Sequence, residues 1–130
     1  MKRRVSLIVT GMLLASCARG APDLVLDQKE IDLGPVINGE LRTIEIPLHN
    51  IGEKDLVIEA VTTSCGCTTA TVTPTTITPG ESALLVVQFD SGAHGPEENG
   101  PVVRQVFIAS NDGDEPEIEF RFIADIIARD

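Results

Sequence analysis

Residues 118–125 read Ile-Glu-Phe-Arg-Phe-Ile-Ala-Asp. The run alternates: Ile118, Phe120, Phe122 and Ala124 fall on one side, and Glu119, Arg121 and Asp125 on the other. Successive side chains of an extended chain point to opposite faces, so a period of two predicts a strand with one face in a core and the other in water. Residues 43–49, Thr-Ile-Glu-Ile-Pro-Leu-His, repeat the pattern, with Ile44, Ile46 and Leu48 set against Glu45, Pro47 and His49. Residues 84–89 and 102–109 are apolar on both faces, which predicts central or covered strands. Residues 24–34 and 56–63 supply further strands.

The punctuation agrees with this reading. Asn50-Ile51-Gly52 closes one strand, and Asn111-Asp112-Gly113-Asp114 makes a turn between the last two. Thr78-Pro79-Gly80-Glu81 puts proline and glycine at the central positions of a type II turn, where glycine tolerates a positive φ. Pro47 has no N–H for a ladder, so its strand is expected to be an edge there or to carry a bulge. No helical period persists over three turns. Short strands separated by turns every eight to fifteen residues predict an all-β fold, an immunoglobulin-like antiparallel β-sandwich of about seven strands. The chain has no Trp and no Tyr, so it lacks the buried tryptophan and tyrosine corner of antibody domains. Ile44, Ile46, Leu48, Val87, Phe89, Phe120 and Phe122 are the expected core.

The first residues carry an address. Lys2, Arg3 and Arg4 precede an apolar stretch, Val5 to Ala15, which is too short to span a bilayer and reads as an export signal. Leu14-Ala15-Ser16-Cys17 resembles the lipobox of bacterial lipoproteins. That resemblance implies a signal peptide over 1–16, cleavage before Cys17, and acyl chains on Cys17 that anchor the protein stably without spanning the membrane. Ala18, a non-aspartate after the lipidated cysteine, implies sorting to the outer membrane, facing the periplasm. Residues 17–23 then form the lipidated cysteine and tether, and 24–130 a single domain. Loss of Lys2, Arg3 and Arg4 leaves seven basic against twenty acidic residues, a net charge of −13, which disfavours nucleic acid as a partner. The partners expected are the membrane, through the anchor, and another envelope protein.

Cys65-Gly66-Cys67 is the chemical question of the chain. With Cys17 taken by lipid, these two thiols stand alone in an oxidising compartment. In extended chain their Cα atoms would lie ~6.6 Å apart, near the upper edge of the disulfide range. A turn around Gly66, whose backbone bends freely, would bring them closer. Three roles stay open: a disulfide or packed thiols, redox exchange, and metal binding. For metal, two thiolates at i and i+2 suit a soft ion such as Cu(I), with His49 or His94 as the third ligand. The spacing is not that of a structural zinc site. There is no nucleophile elbow, metalloprotease motif or phosphate loop, so no enzyme and no resident cofactor are expected beyond such an ion.

The residues from Ile31 to Asp90 also resemble bacterial proteins of the domain of unknown function 1573 family. The resemblance rests on Asn50 with Gly52, Leu56 with Ile58, Ser64 through Thr68, and Pro74, Ile77, Pro79 and Gly80. It implies a fold similar to the immunoglobulin-like interaction domains of Hydin and major sperm protein, and it lends no enzymatic activity. The loop 90–101 departs from the basic stretch usual in that family. The expected function is a lipid-anchored periplasmic binding or scaffolding module; the alternative is a protein handling soft metal or thiols through Cys65 and Cys67.

Overall fold

The computed structural model describes residues 20–130; the signal peptide expected over 1–16 and the expected lipidation site Cys17 lie outside the described residues. Nine strands follow one another: β1 (Leu24–Leu26), β2 (Glu30–Ile37), β3 (Leu41–Asn50), β4 (Leu56–Thr63), β5 (Thr68–Thr73), β6 (Thr76–Ile77), β7 (Ser82–Asp90), β8 (Gly100–Ser110) and β9 (Glu117–Ile127). They form a four-stranded sheet in the order β1-β3-β7-β5 and a five-stranded sheet in the order β2-β9-β8-β4-β6. The two inner faces meet in one apolar core. This is the all-β, immunoglobulin-like sandwich that the alternation predicts.

All seven expected core residues are buried, from Ile44 at 4% exposed to Leu48 and Phe120 at 0%. Glu45, Pro47, Glu119, Arg121 and Asp125 face water. Phe89 and Phe122 join the sheets, with ring centroids 5.1 Å apart in a tilted arrangement. The register is tightly held because a one-residue slip of β3 would expose three aliphatic side chains at about 1.5–3 kcal/mol each. β7 and β8, the strands apolar on both faces, are interior members of their sheets.

Pro47 shows why an alternating strand tolerates proline. Asp27 N–H donates to the Pro47 carbonyl at 3.1 Å, so the proline's missing donor also faces β1 and not β7. β1 stops there, and β3 is a free edge from Pro47 back to Leu41. Gly80 has φ 79°, and Glu81 N–H donates to the Thr78 carbonyl at 3.0 Å, closing the type II turn.

Two features differ from the sequence reading. Residues 24–34 are not one strand: the chain crosses between sheets at Asp27–Lys29, so β1 and β2 belong to different layers. β2 then runs parallel to β9, one parallel pair in an otherwise antiparallel sandwich. Nine strands result because β1 and β6 are short pieces that complete the sheet edges. Residues 21–23 are also held: Ile51 N–H donates to the Asp23 carbonyl at 2.9 Å and Glu53 N–H to that of Ala21 at 2.9 Å. A Cβ on Gly52 would collide with the Ala21 carbonyl oxygen, so this close approach needs glycine.

Candidate functional site

β4 ends at Thr63 in one sheet and β5 begins at Thr68 in the other, so residues 64–67 carry the chain across one end of the sandwich. Local hydrogen bonds fix this crossing. Ser64 N–H donates to the Gln105 carbonyl at 3.0 Å, Gln105 N–H returns a bond to Ser64 Oγ at 3.0 Å, and Asp90 N–H donates to the Cys67 carbonyl at 2.9 Å. Thr68 N–H closes the turn on the Cys65 carbonyl at 3.2 Å, and the Thr63 hydroxyl is within reach of the carbonyls of Cys65 and Thr68. The turn brings the Cα atoms of Cys65 and Cys67 to 5.2 Å, inside the usual disulfide range, and the two are joined by a disulfide. Gly66 does not supply a left-handed residue here, and a Cβ at that position would meet nothing. The bend comes from the hydrogen-bonded turn and not from glycine's freedom.

The two sulfurs have different surroundings. Cys67 is 4% exposed and belongs to the core, whereas Cys65 is half-buried at the rim. The Arg104 Nε–H donates to Cys67 Sγ at 3.1 Å, and the Thr68 hydroxyl lies 3.4 Å from the same sulfur. Cys67 N–H donates to Cys65 Sγ at 3.2 Å, and His94 Nε2 stands 3.0 Å from that sulfur. Arg104 is held in turn by Glu98, with Nη2 to Oε1 at 3.1 Å between mostly buried side chains. His94 and Glu98 come from the loop between β7 and β8. Asn38 pins that loop by donating through Nδ2 to the carbonyls of Gly95 at 3.0 Å and Glu98 at 2.9 Å. An open depression of about 430 Å³ lies above, lined by Ser64, Cys65, His94, Glu98, Val103, Arg104 and Gln105. Cys65 lines it; Cys67 does not.

Of the sequence-predicted site residues, Cys65, Cys67 and His94 come together, their ligand atoms all within 4.8 Å of one another. His49 does not join them. It pairs across the sheet with Ser82 at the start of β7, while Cys67 is bonded to Asp90 at its end. Eight residues of strand separate these points by roughly 26 Å. His49 instead sits between Ser82 Oγ and Asp27 Oδ1, each at 2.6 Å. Arg104 and Glu98 were not singled out from the sequence. Arg104 was legible in principle: it shares the inward parity of Val102, Val106 and Ile108, and an inward-pointing arginine calls for a partner. Glu98 carried no such signal.

The fold and this site define an all-β, immunoglobulin-like sandwich with a bridged cysteine pair at one end. The chain belongs to the family described as protein of unknown function (DUF1573), whose model matches residues 24–125. No functionally curated protein matches it in sequence. A protein of unknown function from Porphyromonas gingivalis W83 is similar in structure, with TM-score 0.70 and 27% identity over 82% of this chain and 46% of that one. The PapD-like domain 7 of human CEP192 is similar at TM-score 0.62 and 13% identity, with 100% of both chains covered. The YadV chaperone is similar at TM-score 0.53 and 13% identity over 83% of this chain and 53% of that one. The chain spans under half the length of the Porphyromonas protein. At these lower identities the likeness is one of fold.

Proposed function

We propose that the protein is a non-enzymatic binding module, held at the outer membrane by lipid on Cys17, that meets another envelope protein with the end of the sandwich bearing Cys65 and Cys67. One observation carries the choice of end. Among the described residues seven large apolar side chains are exposed, and four of them, Ile37, Leu41, Val103 and Ile127, lie at or near the strand termini of that end. Leu41 is 74% exposed and Val103, on the wall of the depression, 52%. Exposed apolar side chains at the end that also bears a polar depression suit a protein surface, where a desolvated centre is ringed by polar contacts. The strong negative charge favours a partner with a basic face.

The test is site-specific photocrosslinking in intact cells. Crosslinkers at Val103 and Ile127 should yield discrete adducts, and crosslinkers at Val25 and Ile51, elsewhere on the sandwich, should not. Equal yields from both sets would refute the assignment of the end. Mass spectrometry of membrane-extracted protein should find the mature N-terminus acylated at Cys17; an unmodified mature chain in the soluble fraction would overturn the localisation.

A second reading, binding of a soft cation, is favoured by the cluster of Cys65, Cys67 and His94. It requires the disulfide to be reduced, and the Arg104 guanidinium beside Cys67 opposes a cation there. Elemental analysis of reduced protein after exposure to Cu(I) decides it: one equivalent lost on His94→Ala supports chelation, and none excludes it.

A further inference from the structure

We propose that the Cys65–Cys67 disulfide exchanges with a protein dithiol, with Cys65 as the sulfur attacked and Cys67 as the leaving group. The proposal goes beyond the binding reading and does not depend on it. It rests on the difference between the two sulfurs. Exchange proceeds by attack of a thiolate on one sulfur of the disulfide, and its rate depends on access to that sulfur and on how well the other carries negative charge. Cys65 opens on the depression. Cys67 is enclosed, and the two donors beside it are of the kind that stabilise a thiolate: the Arg104 Nε–H at 3.1 Å and the Thr68 hydroxyl at 3.4 Å. Burial alone would disfavour a charged sulfur, but a guanidinium at hydrogen-bond distance favours it. Glu98 keeps that guanidinium in place through a second nitrogen, so the cation is oriented before the reaction.

One thiolate of the partner dithiol attacks Cys65 Sγ; a new S–S bond joins partner to Cys65, the Cys65–Cys67 bond breaks, and its electron pair leaves on Cys67 as thiolate against Arg104. The partner's second thiolate attacks the partner sulfur of this mixed disulfide. The partner disulfide forms, and Cys65 departs as thiolate facing His94 Nε2. Two electrons have moved from the partner to the pair. Of the two protons released by the partner thiols, one reaches Cys65 through water and past His94, 3.0 Å from the sulfur, and the other stays in the solvent while Cys67 remains a thiolate against Arg104. The reverse sequence passes the electrons back to a partner disulfide.

Glutathione is a suitable probe on the full-length lipidated chain in detergent. After brief exposure and acid quenching, fragment-ion mass spectrometry should place the adduct on Cys65 in at least about tenfold excess over Cys67. Arg104→Met should slow reduction by about tenfold while Arg104→Lys restores part of the rate, with thermal melts confirming that both variants fold. Should Arg104→Met fail to fold, thiolate absorbance of the reduced wild type decides: one thiolate at neutral pH supports the proposal and none overturns it. In cells, Cys67→Ser should trap a mixed disulfide through Cys65, and Cys65→Ser should trap none. Adducts shared equally between the cysteines, an unchanged rate in a folded Arg104→Met, or thiols that become reactive only after a chelator is added would each overturn it.

Discussion

The two ends of the sandwich brace their loops alike but differ in their surface clusters: at one end His49 bonds to Ser82 and Asp27, and at the other a disulfide, a histidine and an arginine meet. At the end away from the disulfide, Asn50 is fully buried and every one of its side-chain hydrogen bonds goes to backbone: Oδ1 accepts from Asp23 and Gly52 N–H, and Nδ2 donates to the carbonyls of Lys54 and Ile77. Asp112, 3% exposed, likewise accepts from the N–H groups of Leu24, Asp114 and Glu115. These side chains stand in for ladder bonds that the loops cannot make. At the other end Asn38 and Ser91 brace the loops in the same manner. Above them, however, Cys65, Cys67, His94, Glu98 and Arg104 bond to one another, side chain to side chain, beside an open depression. Groups that satisfy backbone are structural; groups that satisfy each other at a surface can exchange partners.

The core between the two ends sets the scale for testing this contrast. Phe120→Ala should cost about 3–5 kcal/mol, a large share of the stability of a domain this size, read as a shift in urea midpoint. At the backbone-bonded end, Asn50→Ala leaves buried amides and carbonyls without partners and should cost about 2–4 kcal/mol by the same measurement. A loss below that range would mean that water replaces Asn50 easily and that this end does not depend on its buried amide.

Asp112 sharpens the same end through pH. Burial alone would raise its pKa, but the amides of Leu24, Glu115 and Asp114 outweigh burial and hold the carboxyl below its ordinary 3.8. A depressed carboxylate pKa contributes stability in full above the unfolded value, and that contribution is lost as pH falls through the folded one. Stability should therefore drop as pH falls below 3.8. Asp112→Asn should cost about 1–2 kcal/mol at neutral pH and make the acid limb shallower. An unchanged acid limb would show that other carboxylates govern it.

The smallest effects belong to the disulfide end. His94→Ala removes an exposed ring and Gly66→Ala adds a methyl that meets nothing, so both should melt within about 0.5 kcal/mol of wild type. If either destabilises as Asn50→Ala does, the distinction between a structural and a chemical end fails.

Much was settled by sequence alone. Alternation in residues 43–49 and 118–125 assigns strands, faces and core, because a period of two is a local property of extended chain and water sorts the two faces. The Thr78–Glu81 turn is local for the same reason, whereas Pro47 is tolerated because β1 stops beside it, which strand order decides. The crossing of the chain between sheets at Asp27–Lys29 was not legible, since the pattern on both sides of it reads as one strand. Nor was the membership of the site. Cys65 meets His94 across 29 positions, and Cys67 meets Arg104 across 37. Such meetings depend on which strand lies beside which, and on Asn38 pinning the loop that bears His94 and Glu98. The sequence named the two cysteines; strand pairing decided that one faces solvent and the other an arginine.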